Sequence, residues 1–165
     1  SYFFILKPFL STELCASLSL VFSKIRHCYA ARKRKIIQDN KNIASIKVLG
    51  TISHEEVLKL LGRTNIFVNP SHFSEGLPTT ILEAGMMKCA VVATPMGGTV
   101  EIISNENIGY ICGFETDEIQ DKIEKIINDK EKMKKMGINI EKKVKEEFSW
   151  DVTAKKIANT IKYSV

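Results

Sequence analysis

Short apolar runs alternate with longer amphipathic segments along the chain. The apolar runs have the length of buried strands and predict strands over residues 2–6, 45–50, 65–70, 89–94 and 109–113. Helices are predicted over residues 12–25, 29–42, 54–62, 78–87, 97–104, 116–128, 130–147 and 150–162. Strands that alternate with helices favour βαβ units. The expected fold is a single domain over residues 1–165, a Rossmann-like, doubly wound parallel sheet in three α/β/α layers.

Local signals mark where two of these helices begin. Ser53 and Glu56 have the spacing of a capping box, in which each side chain bonds the backbone N–H of the other residue. Pro78 is expected at the first position of the next helix, where its missing N–H costs nothing. Farther along, the mixed-charge run over residues 130–147 predicts a helix face exposed to solvent.

The stretch SEGLPTTILEAG (74–85) follows a predicted strand and opens a predicted helix. Ligands of doubly wound sheets bind beyond the carboxyl ends of the strands, so the segments after Pro70 and after Thr94 should both lie at that edge. The amides of Thr79 and Thr80 fall in the first helical turn, where backbone donors have no intrahelical partner. Because the helix dipole also favours negative charge there, the pattern predicts a seat for phosphate.

Glu75 and Glu83 flank this expected seat, and two interpretations stay open for them. In the first, Glu75 caps the helix and Glu83 is a solvated helix residue. In the second, Gly76 lets a diphosphate approach the backbone closely, and each carboxylate accepts hydrogen bonds from hydroxyl groups at one end of the ligand. His72 lies in the same loop, where it either reaches the pocket or has a structural or solvated role.

Composition narrows the functional classes. The 165 residues are 44% hydrophobic and 26% charged, and the net charge of +5 weakly favours anionic partners. The four cysteines are scattered without a C-x-x-C pair, so neither a zinc site nor a disulfide framework is expected, and Cys89 and Cys112 are predicted to be buried. No apolar run reaches the roughly 20 residues of a membrane helix. The expected location is cytoplasmic, with peripheral contact at the inner face of the membrane as an alternative.

The basic run RKRK (32–35) fits a solvated surface or a membrane-proximal patch. It lacks the interleaved aromatic residues of a nucleic-acid site, so no nucleic-acid partner is expected.

The sequence over residues 69–94, followed by GGTVEII (97–103), resembles the C-terminal, donor-binding lobe of retaining GT-B glycosyltransferases of family 4, in the glycosyl transferases group 1. The family motif of two glutamates separated by seven residues is met by Glu75 and Glu83. The resemblance extends upstream to IKVLGTISHEEVLKLL and downstream to FSWDVTAKKI, and covers residues 44–162.

This resemblance implies a role for each matching residue. Glu75 would lie at the catalytic centre, where it orients hydroxyls of the transferred sugar, and Glu83 would hold the ribose hydroxyls of the nucleotide. The donor would be a UDP-, GDP- or ADP-linked sugar, bound without a metal or a further cofactor. The other donor-binding positions implied by the resemblance are Lys7, Gly50, Thr51, His72, Gly76, Leu77, Pro78, Thr79 and Thr80.

Residues 1–43 depart from the family pattern. Lys7 stands where the family has an arginine, while Thr12 and Glu13 occupy the region of a second cation that grips the diphosphate. A GT-B enzyme has two lobes, and the length of this chain matches one. The resemblance therefore implies an N-terminal lobe in the same or another chain and a glycan or lipid-linked acceptor. The chain alone is expected to transfer no sugar.

Three functions remain in competition. The first is transfer of a hexose with retention, as the donor-binding lobe of a two-lobe enzyme that assembles polysaccharide or glycolipid, such as capsule or lipopolysaccharide. The second is a non-catalytic module or subunit that binds a nucleotide sugar and needs a separate N-terminal lobe. The third is a Rossmann-like domain without a ligand that serves only in assembly. Nucleotide titration separates the third from the other two.

Overall fold

The computed structural model describes residues 4–6, 49, 52–73 and 76–162. The predicted helices between residues 12 and 42, the RKRK run and all of the predicted strand 45–50 except Leu49 lie outside the described residues. The described elements are β1 (Phe4–Leu6), α1 (His54–Leu61), β2 (Ile66–Asn69), α2 (Thr79–Met86), β3 (Ala90–Ala93), α3 (Thr99–Ile102), β4 (Tyr110–Ile111), α4 (Thr116–Asn128), α5 (Lys130–Glu147) and α6 (Trp150–Lys162).

The four described strands form one sheet in the order β1-β2-β3-β4. Strands β2, β3 and β4 are parallel, with Ile66 opposite Ala90 and Val92 opposite Tyr110. Strand β1 pairs antiparallel with β2, which corrects the expectation of a fully parallel sheet. The apolar run predicts a strand but not its direction, since either pairing satisfies the backbone groups of a buried strand.

Helices cover both faces of this sheet, as the three-layer prediction requires. On one face, residues of α4 pack against alternate residues of β2 and β3, in a cluster that includes Ile66, Val68, Ala90, Val92, Ile119, Ile123 and Ile126. On the other face, helices α1 to α3 pack against the intervening residues, in a cluster that includes Leu61, Phe67, Ile81, Ala84, Val91, Ala93 and Ile102. Every residue of β2 and β3 is therefore buried, as expected for strands covered on both faces.

Helix α5 crosses the amino-terminal edge of the sheet. Its Met136 belongs to the first core cluster and its Ile140 to the second. A Cβ atom at Gly137 would clash with the backbone oxygen of Lys88, so α5 and the turn before β3 are in direct backbone contact. The bounds of α5 match the prediction, but the expectation of an exposed face is only half right. Between the many lysines of this sequence lies an apolar stripe at helical spacing, which the mixed-charge pattern did not indicate. Its buried members are Met136, Gly137, Ile140 and Val144.

Local sequence signals predicted most of the remaining helix bounds. The capping box at Ser53 and Glu56 is present, with both reciprocal bonds formed. Pro78 is the N-cap of α2 and not its first residue, which corrects the prediction by one position. Its extended backbone explains the shift, because a ψ of 99° keeps the residue out of the helix. None of the described helices combines the length and apolarity needed to cross a membrane.

The two described cysteines are buried and free, as predicted. Burial raises the pKa of the Cys89 and Cys112 thiols to about 12. Both thiols are therefore protonated at neutral pH and serve as small core residues.

Candidate functional site

The loops that leave β2 and β3 meet at the carboxyl edge of the sheet. The buried Thr94 follows β3, and its hydroxyl donates a 2.6 Å hydrogen bond to the backbone oxygen of Ser71. The backbone N–H of Thr94 also donates to the Asn69 oxygen at 3.2 Å. These bonds confirm that the segments after Pro70 and after Thr94 lie together at this edge.

A second contact fixes the approach to α2. The N–H of Gly98 donates to the Gly76 oxygen at 2.7 Å. A Cβ atom at Gly98 would lie 3.2 Å from that oxygen and 3.3 Å from the Cα of Leu77, so only glycine lets the two loops come this close. No role was predicted for Gly98 from the sequence. The adjacent glycines at 97 and 98 were the one local signal of a close backbone approach.

The beginning of α2 presents free backbone donors. The N–H of Ile81 bonds the oxygen of the buried Pro78 at 3.0 Å. Nothing in the described part of the chain accepts a hydrogen bond from the N–H of Thr79 or Thr80. The first turn contains no acidic residue, and no side chain caps it. The positive end of the helix dipole is thus unopposed by the helix itself, and the two amides can receive an anion.

Glu83 lies one turn farther along α2, on the helix face that also carries Thr79 and Thr80. Its Oε1 atom lies 3.0 Å from Nε2 of His54, the first residue of α1. The Glu83 side chain is 26% exposed and that of His54 is 69% exposed. Because an ionised carboxylate only accepts hydrogen bonds, Nε2 carries the proton in this pair.

The contact between His54 and Glu83 was not predicted. The two residues are 29 positions apart, and nothing local in the sequence indicates that they meet. The contact brings the beginning of α1 beside Glu83. Ser53 caps this end of α1, so the capped beginning of α1 lies near the carboxylate implied to hold the ribose.

His72 is exposed in the loop after β2. Its ring stacks on Phe114 with the centroids 5.0 Å apart and the planes inclined by 29°. Phe114 lies in the segment that follows β4, so a third loop joins the same edge of the sheet. Phe114 was not predicted as a site residue, because no local signal marks it among the residues between the last strand and α4.

The structure brings part of the predicted constellation together. Six of the predicted residues lie in the loop before α2 and in the first two turns of that helix: Gly76, Leu77, Pro78, Thr79, Thr80 and Glu83. Gly76 and Leu77 are exposed. The predicted residues Lys7, Gly50, Thr51 and Glu75 lie outside the described residues. Within residues 52–73 and 76–162, no three His, Cys, Asp or Glu side chains cluster as metal ligands would. Metal-free binding stays a prediction.

Known proteins identify the family of this chain. Residues 28–143 match the family model described as glycosyl transferases group 1. The chain belongs to this family. It is 30% identical over 148 residues to a probable sucrose-phosphate synthase from Thermosipho melanesiensis, in an alignment that covers 87% of this chain and 34% of the relative. The chain spans only 25–34% of the length of the first curated relatives that it matches.

Two solved structures of similar fold complete the comparison. The C-terminal domain of the glycosyl transferase group 1 protein LpcC from Francisella tularensis superimposes with a TM-score of 0.65 at 24% identity, over 83% of this chain and 80% of that one. Anabaena Alr3699/HepE in complex with UDP superimposes with a TM-score of 0.73 at 18% identity, over 87% and 44% of the two chains.

These likenesses confirm the α/β fold class and the GT-B glycosyltransferase fold. The predicted group 1 family is confirmed as well. Retention, membership of family 4 and the C-terminal position of this lobe stay predictions.

Proposed function

We propose that this group 1 chain is the donor-binding lobe of a two-lobe retaining glycosyltransferase of family 4. It would transfer a hexose from a nucleotide-diphosphate sugar to a glycan or lipid-linked acceptor. The observation that carries the proposal is the pair of amides at Thr79 and Thr80, from which no described residue accepts a hydrogen bond, on the same helix face as the half-buried carboxylate of Glu83. Membership of the group 1 family supports the class of reaction.

The diphosphate would occupy the beginning of α2. Two N–H groups and the helix dipole stabilise negative charge there without a metal ion. During transfer the same groups would stabilise the charge that develops on the departing diphosphate. The similar fold of Anabaena Alr3699/HepE, solved with UDP, supports a nucleoside diphosphate as the ligand.

The two glutamates would recognise opposite ends of the donor. Glu83 lies one turn inside α2 and is not capping the helix. It would accept hydrogen bonds from the ribose hydroxyls. By resemblance to the family motif, Glu75 would contact the transferred sugar and orient it, without attacking the anomeric carbon. Strong bonds between carboxylates and hydroxyl groups suit both assignments.

A second lobe would complete the enzyme. Helix α6 has no buried residue and exposes Trp150, Ile157 and Ile161, whose spacing places them along one side of the helix. An N-terminal lobe that covers this stripe would also hold the acceptor hydroxyl near the donor and keep water out. Without that lobe we expect nucleotide binding but no sugar transfer by this chain. The alternative is a subunit that binds the nucleotide sugar without catalysing transfer.

Calorimetric titration with UDP, GDP and ADP, in EDTA and then in magnesium, tests the proposal. We expect one of the three to bind equally well in both conditions. Glu83→Ala should weaken the binding of that nucleotide, while Glu75→Ala should weaken only the binding of the matching nucleotide sugar. No binding at millimolar concentration, or binding that needs magnesium, would contradict the proposal. Exchanged effects of the two substitutions would exchange the roles of the carboxylates.

A further inference from the structure

The hydrogen bond between His54 and Glu83 joins the first turn of α1 to the second turn of α2. The neighbours of His54 in α1 are paired within their own helix. Glu56 bonds Ser53 in the capping box, and Glu55 pairs with Lys59 at 2.6 Å. Within the described residues, His54 is thus the polar residue in the first turn of α1 whose side chain forms a hydrogen bond with α2.

The bond engages only one oxygen of the carboxylate. Within the described residues, Oε1 of Glu83 accepts from Nε2 of His54, and no side chain donates to Oε2. A glutamate side chain rotates about three bonds and loses conformational freedom when it binds a ligand. A donor that already holds Oε1 removes part of that freedom before the ligand arrives, and leaves Oε2 as the free acceptor.

We propose that His54 is a positioning residue for nucleotide binding. It holds Glu83 so that Oε2 faces the ribose hydroxyls of the nucleotide. The inference rests on the proposed function, because it assigns to Glu83 the contact with ribose. The competing role is a simple link between α1 and α2, which would stabilise the fold without favouring one part of the ligand.

A ligand that lacks the ribose hydroxyls separates the two roles. The tightest binder among UDP, GDP and ADP is compared with its 2′,3′-dideoxy analogue by calorimetry. His54→Ala should lower the affinity for the ribonucleotide about three- to tenfold, as expected for the loss of a solvent-exposed hydrogen bond to a charged group. The dideoxy analogue should change by less than about twofold, because it makes no hydroxyl contact for Glu83 to orient.

Three further variants sharpen the test. His54→Gln places an amide donor near the position of Nε2 and should restore ribonucleotide binding to within about twofold. In the Glu83→Ala background, His54→Ala should have no further effect on affinity, because the group it positions is gone. Glu55→Ala alters the same turn and should leave both affinities unchanged. Thermal unfolding of each variant checks that the fold is intact.

The outcomes separate this inference from the proposed function. Equal losses for ribonucleotide and dideoxy analogue, or additive losses with Glu83→Ala, would overturn positioning by His54 while nucleotide binding stands. No effect of His54→Ala on any ligand would overturn it as well. Absence of binding by all three nucleotides would overturn the proposed function and the inference together.

Discussion

The two edges of the sheet are built in opposite ways. At the amino edge, α5 lies directly on the turn before β3, with Gly137 against the backbone of Lys88. Polar groups there are paired, since Lys132 donates to the Tyr110 hydroxyl at 2.6 Å near the beginning of β4. At the carboxyl edge, backbone hydrogen bonds join the loops, and the amides of Thr79 and Thr80 have no acceptor among the described residues.

This difference separates stability from binding. Close-packed backbone, as at Gly137 and Lys88, leaves no room for a ligand between the two segments, and disturbing it costs folding free energy. Free donors at a helix N-terminus contribute nothing to packing and are available to an anion. Substitutions at the amino edge should therefore change the free energy of unfolding, whereas substitutions at the carboxyl edge should change the affinity for a nucleoside diphosphate.

The largest effect is expected for Gly137→Ala. Its Cβ atom would clash with the Lys88 oxygen and lie 2.9 Å from the Lys88 carbonyl carbon, so α5 or the turn before β3 must move. We expect a loss of about 3 kcal/mol in unfolding free energy, measured by urea denaturation. Gly62→Ala is the control, because its Cβ atom would make only an ordinary contact at 3.5 Å from the Leu58 oxygen.

Nucleotide affinity distinguishes the edges in the same experiment. Below the unfolding transition, Gly137→Ala should bind the nucleoside diphosphate as the wild type does. A stable Gly137→Ala protein with weakened binding would reverse the assignment of the amino edge to packing.

The next largest effect, on nucleotide affinity, is expected from a comparison of substitutions at two half-buried helix glutamates. Glu83→Ala should weaken nucleoside diphosphate binding by about 1.5–3 kcal/mol, the usual cost of losing a bond to a charged group. Glu141 on α5 is its matched control, since Lys145 donates to it at 2.8 Å and this bond lowers the pKa of its carboxyl. Glu141→Ala should reduce stability slightly and leave affinity unchanged. Equal effects of both substitutions on affinity would remove the distinction between the edges.

A smaller effect is expected where the two carboxyl-edge loops touch. In Gly98→Ala, the new methyl group would press on Gly76 and Leu77 and displace the approach to α2 by a few tenths of an ångström. We expect roughly tenfold weaker nucleotide binding, because anion contacts depend on the placement of the amides. The lowering of the thermal midpoint should stay below that of Gly137→Ala. A wild-type affinity for Gly98→Ala would mean that this loop contact does not shape the site.

Gly76→Ala sharpens this comparison. Apart from its chain neighbours, a Cβ atom at Gly76 would meet no atom of the described residues within 4 Å, so the substitution should preserve stability. Any loss of nucleotide affinity would then arise from contact with the ligand itself.

Local sequence signals predicted the features that depend on residues close together in the sequence. Apolar spacing gave the bounds of α4, α5 and α6, and the capping box at Ser53 and Glu56 formed as expected. The beginning of α2 beyond a buried strand was also predictable from Pro78, Thr79 and Thr80, whereas its role as a phosphate seat stays a prediction.

Contacts between distant segments could not be predicted in this way. The bond from His54 to Glu83 and the close approach of Gly98 to Gly76 depend on how helices and loops pack in three dimensions. The antiparallel direction of β1 depends likewise on its neighbour in the sheet. A periodic pattern reports which residues are buried but not which residues they meet.

The central claim is that the backbone N–H groups at the beginning of α2 bind the diphosphate, and Thr79→Pro tests it most directly. Proline removes one N–H at a first helical position, where it is tolerated, and the extended Pro78 before it suits a following proline. Thr79→Ala is the control, because it removes the hydroxyl and keeps the amide. Calorimetry should give about 1.5–3 kcal/mol weaker nucleoside diphosphate binding for Thr79→Pro and nearly unchanged binding for Thr79→Ala. Wild-type affinity in a correctly folded Thr79→Pro protein would contradict the claim.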